Sequence, residues 1–257
     1  MDKLIWRFLK MSDNLYFFRK IYNREQFFPS ILGLFINPYY VARKGLAKHV
    51  KELAVSITGK TLDIGCGTKP YAHLYQSNEY VGLEIDTPQN RANKQADFYY
   101  DGNNFPFEDE SFDSVVANEV FEHVFNPDQF LGEMLRILKP QGLVLLTMPF
   151  VWDEHEQPYD YARYSSFGIK SLLEKHGFEI VEQRKSMDDI RVIFQLINIY
   201  IYKKTVTKNA LINVLITLVF MAPFNIIGEL LSMITPRNPD LYLDNIVLAR
   251  KAVTNYA

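Results

Sequence analysis

"TLDIGCGTKPY", residues 61–71, decides how the rest of this chain is read. Thr61 to Ile64 make a short apolar strand candidate with one acid, Asp63, and run straight into Gly65-Cys66-Gly67. Glycines directly after a strand bring backbone close to something, because a missing Cβ frees both φ and space. Three things can come close: a phosphate, a nucleoside, or the next helix. Spacing narrows the choice. A dinucleotide site needs G-x-G-x-x-G so that a pyrophosphate reaches a helix N-terminus. Here Thr68, Lys69 and Pro70 follow Gly67 with no third glycine, and no P-loop occurs. The turn suits a nucleoside that lacks a pyrophosphate.

Outward from this turn, strand and helix signals alternate. Strands are expected at Thr61–Ile64, Tyr80–Ile85, Phe112–Ala117, Leu143–Met148 and Phe178–Glu182. Asn126-Pro127 opens a helix whose apolar stripe is Phe130, Leu131, Met134, Leu135 and Leu138, with Gly142 past its end. Ser165 can cap another helix, closed by Gly177 after His176. Strands separated by helices of this length imply an α/β fold: a Rossmann-like, doubly wound, mostly parallel sheet with helices on both faces. Such sheets bind ligands beyond the carboxyl ends of their strands, at the switch point.

Three acids fall at strand ends. Asp63 precedes the glycines, Glu84 comes near the end of "YVGLEID", and Asp101 opens "DGNNFPF" after an aromatic stretch. A carboxylate at the second strand end can accept from both hydroxyls of a ribose. Each acid taken alone also has a bland reading, as a cap or a solvated strand end.

Five stretches in order, "LDIGCGT", "VGLEID", "DGNNFPFEDESFDSV", "NEVFEHV" and "LGEMLRILKPQGLVLLTMP", resemble the class I S-adenosylmethionine-dependent methyltransferases. The nearest likeness is to the branch acting on quinones and other small or lipid-linked molecules. It covers residues 58–183, with "DNIVLARK" matching the family's last strand. The resemblance implies that Gly65, Cys66 and Gly67 pack against the methionine part of the cofactor, with Asp63 near its ammonium. It places Glu84 on the ribose, Asp101 and Gly102 beside the adenine, and Asn118 and Glu119 beneath the sulfonium. Lys69 stands where the family often has a glycine. Cys66 reads as a packing residue, and His123 as a structural hydrogen-bonding one.

Methyl transfer to a hydroxyl needs a base. The stretch "PFVWDEHEQPYDYARYSSFG" reads as a polar-aromatic, substrate-facing lid, or alternatively as a brace for the cofactor. In it His155 suits the base, because an unperturbed imidazole titrates near neutrality. Arg163 suits an acceptor carboxylate or phosphate, with Asp160 beside it, and Tyr159 and Tyr164 supply walls with polar tips. No metal is expected from Asp153, Glu154, His155 and Glu156, whose consecutive side chains diverge.

The chain's 257 residues suffice for one large domain with appendages, 48% of them hydrophobic and 14% aromatic. A net charge of −2 argues against a general nucleic-acid binder. The one cysteine excludes an intrachain disulfide and suits a reducing cytoplasm. Four regions are expected: a basic, amphipathic helical region over 1–57, a cofactor-binding core over 58–185, a hydrophobic helical insertion over 186–239, and the last strand and tail over 240–257. Residues 1–24 place Lys3, Arg7 and Lys10 on one side, and Leu4, Ile5, Phe8 and Leu9 on the other. Residues 209–228 hold no charge for twenty positions. The first suits an interfacial helix on the inner face of a membrane, a lid helix or a homodimer contact. The second is long enough for a span but is interrupted by Asn213, Pro223, Asn225 and Gly228. It suits an insertion that dips into the membrane interface or forms a hydrophobic substrate groove, or an internal or dimer-forming helical pair. The rival functions are a soluble-metabolite methyltransferase and a silent cofactor-binding scaffold.

Overall fold

The computed structural model describes residues 13–93 and 95–253, so the stripe of Lys3, Arg7 and Lys10 lies outside the described residues. The chain divides into two compact units. Among the described residues, a sheet unit holds those of 49–150, 157–185 and 244–253, and a helical unit holds 13–48, 151–156 and 186–243.

The sheet has seven strands: β1 Thr58–Ile64, β2 Gln76–Ile85, β3 Phe98–Tyr100, β4 Phe112–Asn118, β5 Leu138–Pro149, β6 Phe178–Ser186 and β7 Asp244–Lys251. Their order is β3-β2-β1-β4-β5-β7-β6. Pairs among β3, β2, β1, β4 and β5 are parallel, and β7 runs antiparallel to β5. This is the expected Rossmann-like, mostly parallel architecture. Chain order reverses between β1 and β4, so the switch point lies beyond Ile64 and Asn118. Leu62, Ile64, Val115, Ala117 and Leu146 are fully buried together with Phe121, Leu131 and Met134. Each such large side chain contributes about 1.5–3 kcal/mol by leaving water.

The short helix α4, Pro88–Asn93, follows β2, and beyond it the local signals work as expected. Asn126 caps α5, Pro127–Ile137, by accepting from the Gln129 amide, with Pro127 in the first turn. Ser165 caps α6, Ser166–Lys175, by accepting from Gly168 N at 3.2 Å. Gly177 then turns the chain at φ +81°. One boundary differs from expectation. Leu138, read as the end of the α5 stripe, is extended and pairs with Phe112 as the first residue of β5. Gly142 therefore lies inside β5, where a Cβ would meet Lys139 O at 2.9 Å and Asp113 O at 3.1 Å.

The helical unit contains α1 Asp13–Phe27, α2 Gly33–Ile36 and the start of α3 Tyr40–Leu53. It also contains α7 Arg191–Thr205, α8 Ala210–Ile216, a π-helical turn at Thr217–Met221 and α9 Ala222–Ser232. Tyr40, Val41, Val192, Met187 and Leu243 form its small apolar core. The last three elements run on as one helix, Ala210–Ser232, and α9 packs against both α7 and α2.

Candidate functional site

β1 and β2 are in parallel register with Thr61 opposite Tyr80 and Asp63 opposite Gly82. Side chains alternate along a strand, so Asp63 and Tyr80 share one face. Tyr80 donates its hydroxyl to Asp63 Oδ2 at 2.6 Å. The Tyr80 ring stacks on Tyr75 with centroids 5.9 Å apart, and Asn118 at the end of β4 donates from Nδ2 to Tyr75 Oη at 3.2 Å. Asp63, only 4% exposed, is pushed up to about 7. Burial is the main cause and Glu84's charge adds to it, while the Tyr80 hydrogen bond and Lys69 oppose it.

The glycine turn holds the second acid. Gly65 and Gly67 adopt φ +65° and +50°, and a Cβ on Gly65 would sit 2.5 Å from Val120 Cγ2. A Cβ on Gly67 would meet nothing within 4 Å. Gly67 N donates to Glu84 Oε1 at 2.7 Å, and Asn90 Nδ2 donates to Glu84 Oε2 at 3.1 Å. Cys66 is buried, and desolvation pushes its thiol up to about 12, so it fills space and is not a nucleophile. Lys69, where the family often has glycine, takes φ +53° and pairs with Asp97 Oδ2 at 2.5 Å. It crosses β2 at Gly82, whose Cβ would come within 2.4 Å of Lys69 Cε.

The remaining cofactor-binding candidates are Asp101, Gly102 and Glu119. Asp101 is exposed, and its Oδ1 accepts from Asn104 N at 3.0 Å and Asn103 N at 2.8 Å. Those two bonds hold it below the usual carboxylate range. Gly102 beside it has φ +90° and open space around it. Glu119 has φ +55°, and its Oε1 accepts from Thr147 Oγ1 at 2.9 Å.

Within the sheet unit the lid is pinned by its backbone. Tyr161 N and Ala162 N donate to Glu122 O, and a His123 ring nitrogen lies 2.7 Å from Tyr159 O. Asp160 and Arg163 grip each other bidentately, Nη1 to Oδ1 at 2.5 Å and Nη2 to Oδ2 at 2.6 Å. The Arg163 fork is thus engaged inside the loop. Tyr159 is exposed, whereas Tyr164 packs on Phe121 at 5.1 Å. His155 belongs to the helical unit, with Nδ1 3.3 Å from Asp153 O.

Sequence reasoning missed Tyr75, Tyr80, Gly82 and Asp97. The available signal was register: aligning β1 on β2 in parallel sets Tyr80 beside Asp63. The residues present fit S-adenosylmethionine. Asp63 is a buried acid, Gly67 opens onto free space, and Asn118 Oδ1 is buried without a hydrogen-bond partner.

Comparison with known proteins agrees. Residues 62–146 match a family described as a methyltransferase domain. An uncharacterised methyltransferase of Mycobacterium sp. (strain KMS) is 35% identical over 102 residues, 37% of this chain and 40% of that protein. The demethylmenaquinone methyltransferase of Staphylococcus haemolyticus is 26% identical over 183 residues, 53% of this chain and 76% of that one. The matches span about half the length of the mycobacterial relatives. Phosphoethanolamine N-methyltransferase 2 of Haemonchus contortus, solved with phosphomonomethylethanolamine and S-adenosylhomocysteine, superposes with a TM-score of 0.52. It is 20% identical, over 91% of this chain and 57% of that one, which speaks to fold alone. Residues 62–146 are a methyltransferase domain, and the seven-stranded sheet that carries them is the Rossmann-like sheet of the class I S-adenosylmethionine-dependent methyltransferases.

Proposed function

We propose that this chain transfers a methyl group from S-adenosylmethionine to an oxygen of a small or lipid-linked acceptor, a quinone-like ring before a glycan intermediate. One observation carries the reading: Asp63, Glu84 and Asn118 lie at the carboxyl ends of three adjacent strands around a glycine turn whose Gly67 faces open space. The bound cofactor supplies an activated methyl sulfonium that reacts by in-line displacement. This chain's residues bind and orient it. Asp63 opposes the cofactor's ammonium, and Glu84 accepts from the ribose hydroxyls. A carboxylate offers about four acceptor sites, so Glu84 can keep its Gly67 bond while doing so. Asp101 and Gly102 lie with the adenine, and Asn118 and Glu119 beneath the reacting end.

The quinone-like acceptor is supported by the staphylococcal relative, which the match covers for most of its length. Two assays test the reading in sequence. Calorimetry first measures S-adenosylmethionine binding to the purified chain and to Glu84→Ala. Loss of a charged hydrogen-bond partner costs about 1.5–3 kcal/mol, so affinity should fall roughly ten- to a hundredfold. Methyl-labelled cofactor is then offered with separate lipid, glycan and soluble-metabolite extracts. Label entering the lipid fraction is expected. No binding to the unmutated chain removes the cofactor reading, and label in soluble metabolites alone removes the lipid-linked, quinone-like acceptor in favour of a soluble metabolite.

A further inference from the structure

The helix Ala210–Ser232 is built inside out. Along Ala210–Ser232 the residues that face inward are Asn213, Thr217, Met221, Ala222, Asn225 and Gly228. The exposed side instead carries Leu211, Leu215, Leu218, Val219, Phe220 and Leu230. A surface helix in water shows the reverse, with its apolar stripe toward the core. The inward amides donate to acceptors on neighbouring segments. Asn198 of α7 donates to Asn225 Oδ1 at 2.8 Å, and Asn225 donates to Leu34 O at 2.9 Å. Gln195 of α7, fully buried, donates to Pro38 O at 2.9 Å. Gly228 lets Phe194 approach, since a Cβ there would lie 3.3 Å from it. Small residues and side-chain hydrogen bonds between helices, with apolar residues turned outward, are how helices pack when hydrocarbon surrounds them.

Charge is arranged to match. No ionisable residue occurs from 209 to 228. Lys203, Lys204 and Lys208, all exposed, stand at the turn between α7 and α8. Lys203 pairs with Asp153 at 2.7 Å. At the far end Glu229 is neutralised by Lys44 at 2.8 Å and by Arg191 at 3.4 Å. The helix has a mean hydropathy of 2.2, yet only 28% of that apolar stretch is buried. A core helix of a water-soluble protein would be covered.

We propose that the outer face of Ala210–Ser232 seats in one leaflet of a lipid bilayer, with the lysines of the α7–α8 turn against anionic headgroups. The 23 residues of Ala210–Ser232 are long enough, at about 34 Å, for the roughly 30 Å hydrocarbon core, so topology and not length disfavours a crossing. The chain then returns to pair β7 with β5, so a single crossing would separate those strands. The inference deepens the lipid-linked reading of the acceptor but stands on other residues, and its test requires neither cofactor nor acceptor.

The purified full chain is floated with phosphatidylcholine vesicles, and with the same vesicles containing phosphatidylglycerol, at low and high salt. Flotation with the anionic vesicles is expected, weakened but not abolished by salt, because salt screens the lysines and leaves apolar burial intact. Two variants on exposed positions keep the test sharp, each checked by its thermal melt. Leu215→Glu with Leu218→Glu should lower vesicle binding roughly a hundredfold, since two leucines no longer leave water. Lys204→Glu with Lys208→Glu should erase the preference for anionic vesicles. The proposal is overturned if the unmutated chain floats with neither vesicle, or if the glutamate pair floats as well as it does. A lipid-free dimer that the glutamate pair dissociates would overturn it in favour of a second copy.

Discussion

Tyr80 donates its hydroxyl to Asp63 Oδ2 across 2.6 Å, from the strand next to the one that carries the acid. Stacked on Tyr75, which accepts from Asn118, this bond joins the carboxyl ends of β1 and β4 through two tyrosines. Tyr80→Phe leaves the ring stack in place and removes one buried donor. It should cost about 1–3 kcal/mol, and lower the melting temperature by about 2–4 °C per kcal/mol. It should also weaken S-adenosylmethionine binding, because Asp63 loses the group that orients it. A melt and a titration on the same sample read both. Unchanged values in both would show that the tyrosine only packs.

Asp63 also sets a pH dependence. Its folded pKa of about 7 lies above the ordinary carboxylate value, so the fold favours the protonated acid. Its contribution to stability is therefore full below about pH 4 and is lost as pH rises through about 7. Asp63→Asn removes that loss. The cofactor-free variant should melt above the unmutated chain at pH 8, with the gap closing toward pH 4. It should bind S-adenosylmethionine poorly at every pH, lacking the charge that opposes the ammonium. Paired melts at pH 4, 6 and 8 check the sign, and a gap that widens toward acid would contradict it.

The two glycines of the turn should fail differently. Gly65→Ala puts a Cβ 2.5 Å from Val120 Cγ2 at φ +65°, so it should destabilise the sheet unit by well over the 1–2 kcal/mol of a left-handed residue alone. Gly67→Ala meets nothing within 4 Å and should cost only about 1–2 kcal/mol. Its Cβ enters the open space, however, so cofactor affinity should drop while most of the melt survives. Equal losses of stability would argue that the open space at Gly67 is not what the turn provides.

His155 is the candidate base on the chemistry of its side chain. His155→Gln should preserve cofactor affinity and lower turnover by roughly 10²–10⁴, the usual worth of a general base. The check is turnover with the labelled acceptor across pH 6 to 8, beside a cofactor titration. Normal turnover would release His155 from the role. Lost cofactor binding would make its segment a brace.

What the sequence determined by itself was local. Gly65 and Gly67 declare a turn because only glycine accepts those φ values cheaply, and Asn126-Pro127 and Ser165 declare helix starts because their oxygens sit where free amides must be met. Alternation of such signals fixed the parallel sheet, and with it the strand ends at Asp63 and Glu84. Leu138 marks the limit: an apolar residue continues a helical stripe or opens a strand equally well, and only its pairing with Phe112 chooses. Partnerships across strands and helices were decided by tertiary structure. Tyr80 meets Asp63, and Lys69 passes over Gly82 to Asp97, through the register of β1 on β2, which no short window of sequence encodes. Likewise, residues 209–228 announce an apolar run, but not that Asn213, Thr217 and Asn225 turn inward while the leucines face out. That orientation follows from Asn225 finding Asn198 and the Leu34 carbonyl, because a buried amide must be matched wherever its partners lie.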